Sequence, residues 1–259
     1  MTDVVAILAG IPGFQAAAFG ERLSNGPTNA SYRVERGGSS FVLRIDKPAA
    51  KRLGLDRAAE GDVLRALVRA GLAAPPLYHD PAQGVLLRRF VPGRALSPVA
   101  LRDPGMLARI ARLLRDVHAL PPAGRPFDPL GAARRYAGQL GTPRAQALVE
   151  AAAEILADLP AAPPVLCHND PVCGNILENG DALALIDWEY AGGGDPFFDL
   201  AVVTGHHDVD PNTVLGFLAA YLGREPLAED RMRLAGQRRF YRCLLELWRL
   251  RVGESPGPV

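Results

Sequence analysis

Lysine is nearly missing from this chain: of 259 residues only Lys47 and Lys51 carry it, so positive charge rests on arginine. Lysine plus arginine total 29 against 28 aspartate plus glutamate, and the sequence pI is near 7.8. A balance so even lacks the basic excess with which nucleic-acid binders neutralise phosphates, so nucleic acid is not expected as a partner. Cysteine is scarce too. Cys167, Cys173 and Cys243 are odd in number and too few for a disulfide framework, which predicts free thiols and a cytoplasmic setting. Cys167 and Cys173 flank His168, but structural zinc wants four ligands at tight spacings and no second cysteine pair exists. Long apolar runs are absent as well. The opening MTDVVAILAGIPGF has an acid at Asp3, no basic lead-in and a brief apolar stretch, so neither a signal peptide nor a membrane span is expected.

What is present is 48% hydrophobic and 22% charged, enough for one sizeable core or two modest ones. Residues 19 to 24, 30 to 36 and 40 to 46 carry apolar and β-branched residues separated by NGPTN and Gly37-Gly38. That is strand and turn chemistry and predicts a small antiparallel sheet. From Asp56 to Leu72, Val63, Leu64, Leu67, Val68 and Leu72 fall at helical intervals. Two more strands are expected, around Leu77-Tyr78 and from Val85 to Val91, the second stopped by Pro92-Gly93. Beyond Gly93 the patterns turn helical, in MLARIARLLRDVHAL, QALVEAAAEILADL and Glu229 to Arg251, with short strands at PVLC and ALALI and a frayed tail GESPGPV. The expected class is therefore α+β. Residues 1–91 would form a sheet lobe with one main helix and residues 92–259 a larger helical lobe, with ligands expected in the cleft between lobes.

The chemistry concentrates in CHNDPVCGNILENGDALALIDWEY, residues 167 to 190. His168, Asp170 and Asn175 stand as H-x-D-x-x-x-x-N, and Asp187 follows at the end of LALI. NILE and ALALI flank Asn179-Gly180-Asp181, so a hairpin can bring these side chains together. Two carboxylates and an amide are hard oxygen donors that suit Mg²⁺, and a carboxylate off the metal can take a proton from an attacking hydroxyl. Taken singly, each of these residues also reads as a turn or cap. HHDVD at His206 to Asp210 has local ligand density for a metal hydrolase but lacks strand context, and a loop or cap explains it better.

HNDPVCGNIL followed by LIDWEYAGGGDPFFDLA resembles the choline kinase and aminoglycoside phosphotransferase superfamily, whose members share a two-lobed protein-kinase-like fold. LSNGPTNASYRV is similar to that family's phosphate loop, FVLRI to its third strand, and RFVPGRAL to the hinge of choline kinases. The resemblance implies an ATP-dependent, Mg²⁺-dependent phosphotransferase. Asp170 would be the catalytic base and Asn175 and Asp187 the Mg²⁺ ligands. Asn25, Gly26, Thr28 and Asn29 would cover the nucleotide phosphates. Arg44 would neutralise phosphate charge, held by Glu60, and arginine suits this because it grips phosphate oxygens bidentately. Adenine would pack between the lobes against main-chain groups near Arg89 and Val91. His168 and Asp199 would hold the catalytic loop rather than do chemistry.

For the acceptor, the resemblance implies a hydroxyl compound whose cationic group is cradled by aromatic faces, each contact worth about 0.5 to 2 kcal/mol. Glu189 and Tyr190 of WEY, with Tyr241 and Trp248 on one face of the last helix, are the residues expected there, although such a helical stripe also reads as plain core. A cationic amino alcohol of the choline or ethanolamine type is expected. Thiamine, an aminoglycoside, or nucleotide binding without turnover are the alternatives. Pro171-Val172-Cys173 departs from the choline kinase pattern, and the arginines of the C-terminal helices argue against a polycationic antibiotic.

Overall fold

The computed structural model describes residues 4–207 and 209–253, so Asp3, Asp208 and the tail beyond Gly253 lie outside the described residues. The chain divides into two compact units between Pro92 and Gly93. The first unit runs α1 (Val4–Gly10), β1 (Ala18–Asn25), β2 (Asn29–Arg36), β3 (Ser39–Asp46), α2 (Ala49–Arg52), α3 (Arg57–Arg69), β4 (Tyr78–Asp80) and β5 (Val85–Arg89). Its strands form one antiparallel sheet in the order β1-β2-β3-β5-β4.

Residues alternate across a strand, and β3 shows why its neighbours matter. Phe41, Leu43 and Ile45 join Val34, Val85 and Leu87 on one face, covered by Val4 and Leu8 of α1 with Ile11 and Phe14. Arg44, of opposite parity, instead reaches Glu60 of α3. Helix α3 starts where the Asp56 carboxylate accepts the Ala59 N–H at 3.0 Å. It ends at Arg69, short of the Leu72 expected from periodicity, because Gly71 turns the chain at φ +74°. Gly61 has a packing role: a Cβ there would lie 2.8 Å from the His79 ring of β4. The fourth and fifth strands are also offset from expectation, at Tyr78–Asp80 and Val85–Arg89, as the paired register Tyr78↔Leu87 to Asp80↔Val85 requires.

The second unit runs β6 (Arg94–Ala95), α4 (Pro104–His118), α5 (Pro129–Leu140), α6 (Pro143–Ala157), β7 (Val165–Cys167), β8 (Ile176–Asn179), β9 (Ala182–Leu185), β10 (Gly192–Gly194), α7 (Pro196–Gly205), α8 (Pro211–Leu222) and α9 (Ala228–Val252). Five helices begin alike. Asp103, Asp128, Thr142, Asp195 and Asp210 each accept a backbone N–H of the first turn and are each followed by proline, whose missing N–H and fixed φ suit the first helical position. Helix α9 packs on α5, α6 and α7, and α4 packs on α8. Helix α7 is buried from Phe197 to Gly205 and so sits inside this unit. Two small antiparallel ribbons, β7 with β10 and β6-β8-β9, carry the polar motif. The α+β arrangement read from the sequence is therefore present, sheet first and helices after. Among the described residues no helix is long and apolar enough to cross a membrane.

Candidate active site

The segment between β7 and β8 is held from behind. Asp199, fully buried on α7, accepts the His168 N–H at 2.8 Å and the Asn169 N–H at 2.7 Å, one on each carboxylate oxygen. Asn169 stands at φ +65°, a conformation asparagine tolerates better than most residues, and its Nδ2 donates to the Tyr190 carbonyl at 2.9 Å. His168 Nε2 lies 2.9 Å from the Ile186 carbonyl, which can only accept, so Nε2 carries the proton. Its Nδ1 is then the acceptor for the Asp170 N–H at 3.3 Å. Burial pushes the His168 pKa down, against the Asp199 charge that raises it, so the ring is neutral and ties the loop to the strand end before Asp187. It also packs on Trp188, with ring centroids 4.6 Å apart.

These ties bring Asp170 and Asn175 together. Asn175 Nδ2 donates to the Asp170 carbonyl at 2.9 Å and to its carboxylate at 3.0 Å, which leaves the planar amide's Oδ1 as an oxygen donor. Backbone pairing of Ile186 N–H with the Asn175 carbonyl at 2.9 Å sets Asn175 beside the residue preceding Asp187. Asp187 itself sits at φ +64°. Burial pushes the Asp170 pKa well up, and the nearby Asp187 and Glu189 carboxylates push it further. Like charges crowded this way favour a cation between them. Asn175 and Asp187 therefore fit Mg²⁺ as an amide and a carboxylate oxygen donor, the hard ligands that ion takes while keeping its waters and phosphates.

In the first unit, Arg44 and Glu60 form a two-pronged pair, Nη1 to Oε1 and Nη2 to Oε2, both at 2.6 Å. Arg57 donates to Glu60 at 2.9 Å and grips Asp46 through two bonds of 2.7 Å. Burial alone would raise the Glu60 pKa, but the Arg44 and Arg57 guanidiniums outweigh it and hold the group near 2. Folding thus depresses this acid below its ordinary 4.5, so its stabilisation is complete above pH 4.5 and drains as pH falls toward 2. Wild type is expected to exceed Glu60→Gln by about 3 kcal/mol at neutral pH, with the gap closing in that acidic window in chemical denaturation. A gap independent of pH would show that the carboxylate charge is not the cause.

Asn25 is exposed at the end of β1, and Gly26, half-buried, offers its carbonyl to Lys47 Nζ at 2.5 Å. Thr28 and Asn29 are buried, with Asn29 Nδ2 bonded to Thr28 Oγ1 at 3.1 Å and the Lys47 N–H on the Thr28 carbonyl at 2.8 Å. Arg89 is exposed at the end of β5 and Val91 half-buried after it. In the second unit Tyr190 and Glu189 are half-buried, and burial raises the Tyr190 phenol well above its usual range. Tyr241 is buried, bonded to His206 Nδ1 at 2.7 Å and set edge-on to Phe198. Trp248 lies half-buried, 5.6 Å from the Tyr136 ring of α5.

Residues 20–235 match the phosphotransferase enzyme family. The chain belongs to that family. Protein LicA of Haemophilus influenzae is 32% identical over 192 residues, 69% of this chain and 55% of that protein. Human choline/ethanolamine kinase is 30% identical over 159 residues, 53% of this chain and 40% of its own. The chain thus spans about half the length of these curated relatives. A choline/ethanolamine kinase family protein from Mesorhizobium loti has a similar solved structure, with a TM-score of 0.76 at 29% identity, covering 95% of this chain and 84% of that one.

Several groups around the phosphotransferase-family motif were not singled out from sequence. His118 of α4 places Nε2 at 3.0 Å from Asp199 and Nδ1 at 2.8 Å from the Tyr221 hydroxyl of α8, so two helices brace the carboxylate behind the loop. His118, Cys167 and Asp199 also group as possible metal ligands. Asp199 is already occupied by two N–H donors and the imidazole, and burial drives the Cys167 thiol upward, away from the thiolate a metal needs. In HHDVD, His206 bonds Tyr241, and Asp210 caps α8 through the Asn212 and Thr213 N–H groups, each at 3.0 Å.

Proposed function

We propose that this protein is a cytoplasmic, Mg²⁺-dependent small-molecule kinase that transfers the γ-phosphoryl of ATP to the hydroxyl of a cationic amino alcohol of the choline or ethanolamine type. The observation that carries the reading is the Asp170–Asn175 contact at 3.0 Å beside Asp187, a proton acceptor and two oxygen donors on one braced loop and hairpin. Asp170 orients the acceptor hydroxyl and takes its proton as the oxygen attacks. Asn175 and Asp187 would hold the metal, which would supply positive charge to offset that of the phosphates. Arg44, kept in place by Glu60, offers its guanidinium to the phosphates. Loop residues Asn25, Gly26, Thr28 and Asn29 cover them, and the main chain near Arg89 and Val91 meets the base. Tyr190, Glu189, Tyr241 and Trp248 line the acceptor's cationic end. The amino-alcohol choice is supported by the names of the relatives.

Coupled ADP release from choline, ethanolamine, thiamine and kanamycin, with and without Mg²⁺, tests the reading. Metal-dependent turnover of choline or ethanolamine is expected. Turnover of thiamine or kanamycin alone would change the acceptor, and ATP binding with no acceptor turned over would leave a nucleotide-binding module. Asp187→Ala removes one oxygen donor outright, so ATP affinity in the presence of Mg²⁺ is expected to fall at least about tenfold, measured by titration calorimetry. Equal affinity with and without the substitution would mean that the metal is held elsewhere.

A further inference from the structure

Helices α5 and α9 pack together, and each offers two side chains three residues apart at the same place: Tyr136 and Gln139 from one, Trp248 and Arg251 from the other. The Arg251 guanidinium lies 5.3 Å from the centre of the Trp248 ring and 5.8 Å from that of Tyr136. Both distances fall within cation–π range. Its Nε donates to Gln139 Oε1 at 2.6 Å, while its Nη1 is buried and finds no hydrogen-bond partner among the described residues. The aromatic pair also feels the candidate active site: burial first, with the Asp170 charge adding to it, pushes the Tyr136 pKa up to about 12.

An aromatic pair that already holds a guanidinium is a seat for a cation. A buried N–H left without an acceptor makes that occupancy less favourable than the same group in water, so the resident cation is easily displaced. We propose that Arg251 is a specificity-determining residue: its guanidinium occupies the Tyr136–Trp248 pair and competes there with the cationic group of the acceptor. This rests on the amino-alcohol reading above and adds to it a residue of the chain that sets acceptor affinity. An acceptor with a quaternary ammonium gains both rings when it enters, and the displaced guanidinium regains water. A neutral hydroxyl compound has nothing to exchange for Arg251. The pair therefore discriminates by charge.

Arg251→Gln and Arg251→Met both remove the charge, and methionine keeps an apolar stem against Trp248, so a packing loss in one variant is separable from the loss of the cation. Tetramethylammonium, which has no hydroxyl to phosphorylate, and choline are titrated calorimetrically into the whole chain, and steady-state kinetics are measured with choline. Both neutral variants are expected to bind tetramethylammonium about tenfold more tightly and to show a choline KM lower by a similar factor, with the KM for ATP unmoved. In a Trp248→Leu background the same substitutions are expected to have no effect on either ligand. Unchanged or weaker tetramethylammonium binding in both variants, or no binding to any form of the protein, would overturn the proposal. Tighter binding in the variants with no acceptor turned over would instead leave the seat standing and remove the kinase reading. Choline turnover with one KM throughout would do the reverse.

Discussion

Asp170→Asn is expected to lower turnover at least a hundredfold without loss of fold or of nucleotide binding. Asparagine keeps the shape of the side chain, and its oxygen can still accept from Asn175 Nδ2, which stands 3.0 Å from the carboxylate. What goes is the capacity to take a proton. General-base assistance is worth about 10² to 10⁴ in rate, and His168 is not free to replace it, since it already uses Nε2 toward Ile186 and Nδ1 toward the Asp170 N–H. Thermal stability is expected to hold or rise. The Asp170 carboxylate is pushed well up in pKa by burial and by Asp187 and Glu189, so its ionised form works against folding at neutral pH and a neutral amide relieves that repulsion. Steady-state turnover, ATP titration and a melting curve on one preparation check all three. Turnover within tenfold of wild type would refute the base role, and a collapsed melting temperature would show that the residue is structural.

Strands β1 to β3 were legible to within a residue or two because alternation, NGPTN and the glycines at 37 and 38, with φ of +57° and +72°, are local signals. The Asp170, Asn175 and Asp187 group was legible for the same reason, since one hairpin gathers it. Helices α5, α7 and α8 lie outside the apolar patterns read from the sequence, although Asp-Pro starts stand at Asp128, Asp195 and Asp210. Helix α1 has only seven residues and lacks the Asp-Pro start of those three. Long-range partners were invisible. Nothing in the periodicity of α4 marks His118 as the partner of an aspartate 81 residues away, and nothing in that of α3 marks Arg57 as the bridge from Glu60 to Asp46. Tyr136 belongs to no motif, and its place beside Trp248 follows only from how α5 packs on α9.

The His118 finding makes Asp199 the residue whose loss should be felt most widely. Asp199→Ala is expected to destabilise the protein by on the order of 5 kcal/mol, because three buried donors lose their acceptor at once: the His168 N–H, the Asn169 N–H and the imidazole held by Tyr221. Each buried donor left unsatisfied costs about 1 to 3 kcal/mol. Asp199→Asn separates this bracing from simple volume. Its one oxygen can serve the His168 side, but its NH₂ must then face the Asn169 N–H, donor against donor, across a 2.7 Å gap. The loop should shift where it carries Asp170, lowering kcat by about tenfold or more while the KM for ATP stays near wild type. Denaturant midpoints for both variants, with kcat and KM for the asparagine form, read the two effects separately. An asparagine variant as active and as stable as wild type would mean that the loop is positioned from its own side, by His168 and Asn175, and that the carboxylate behind it is dispensable.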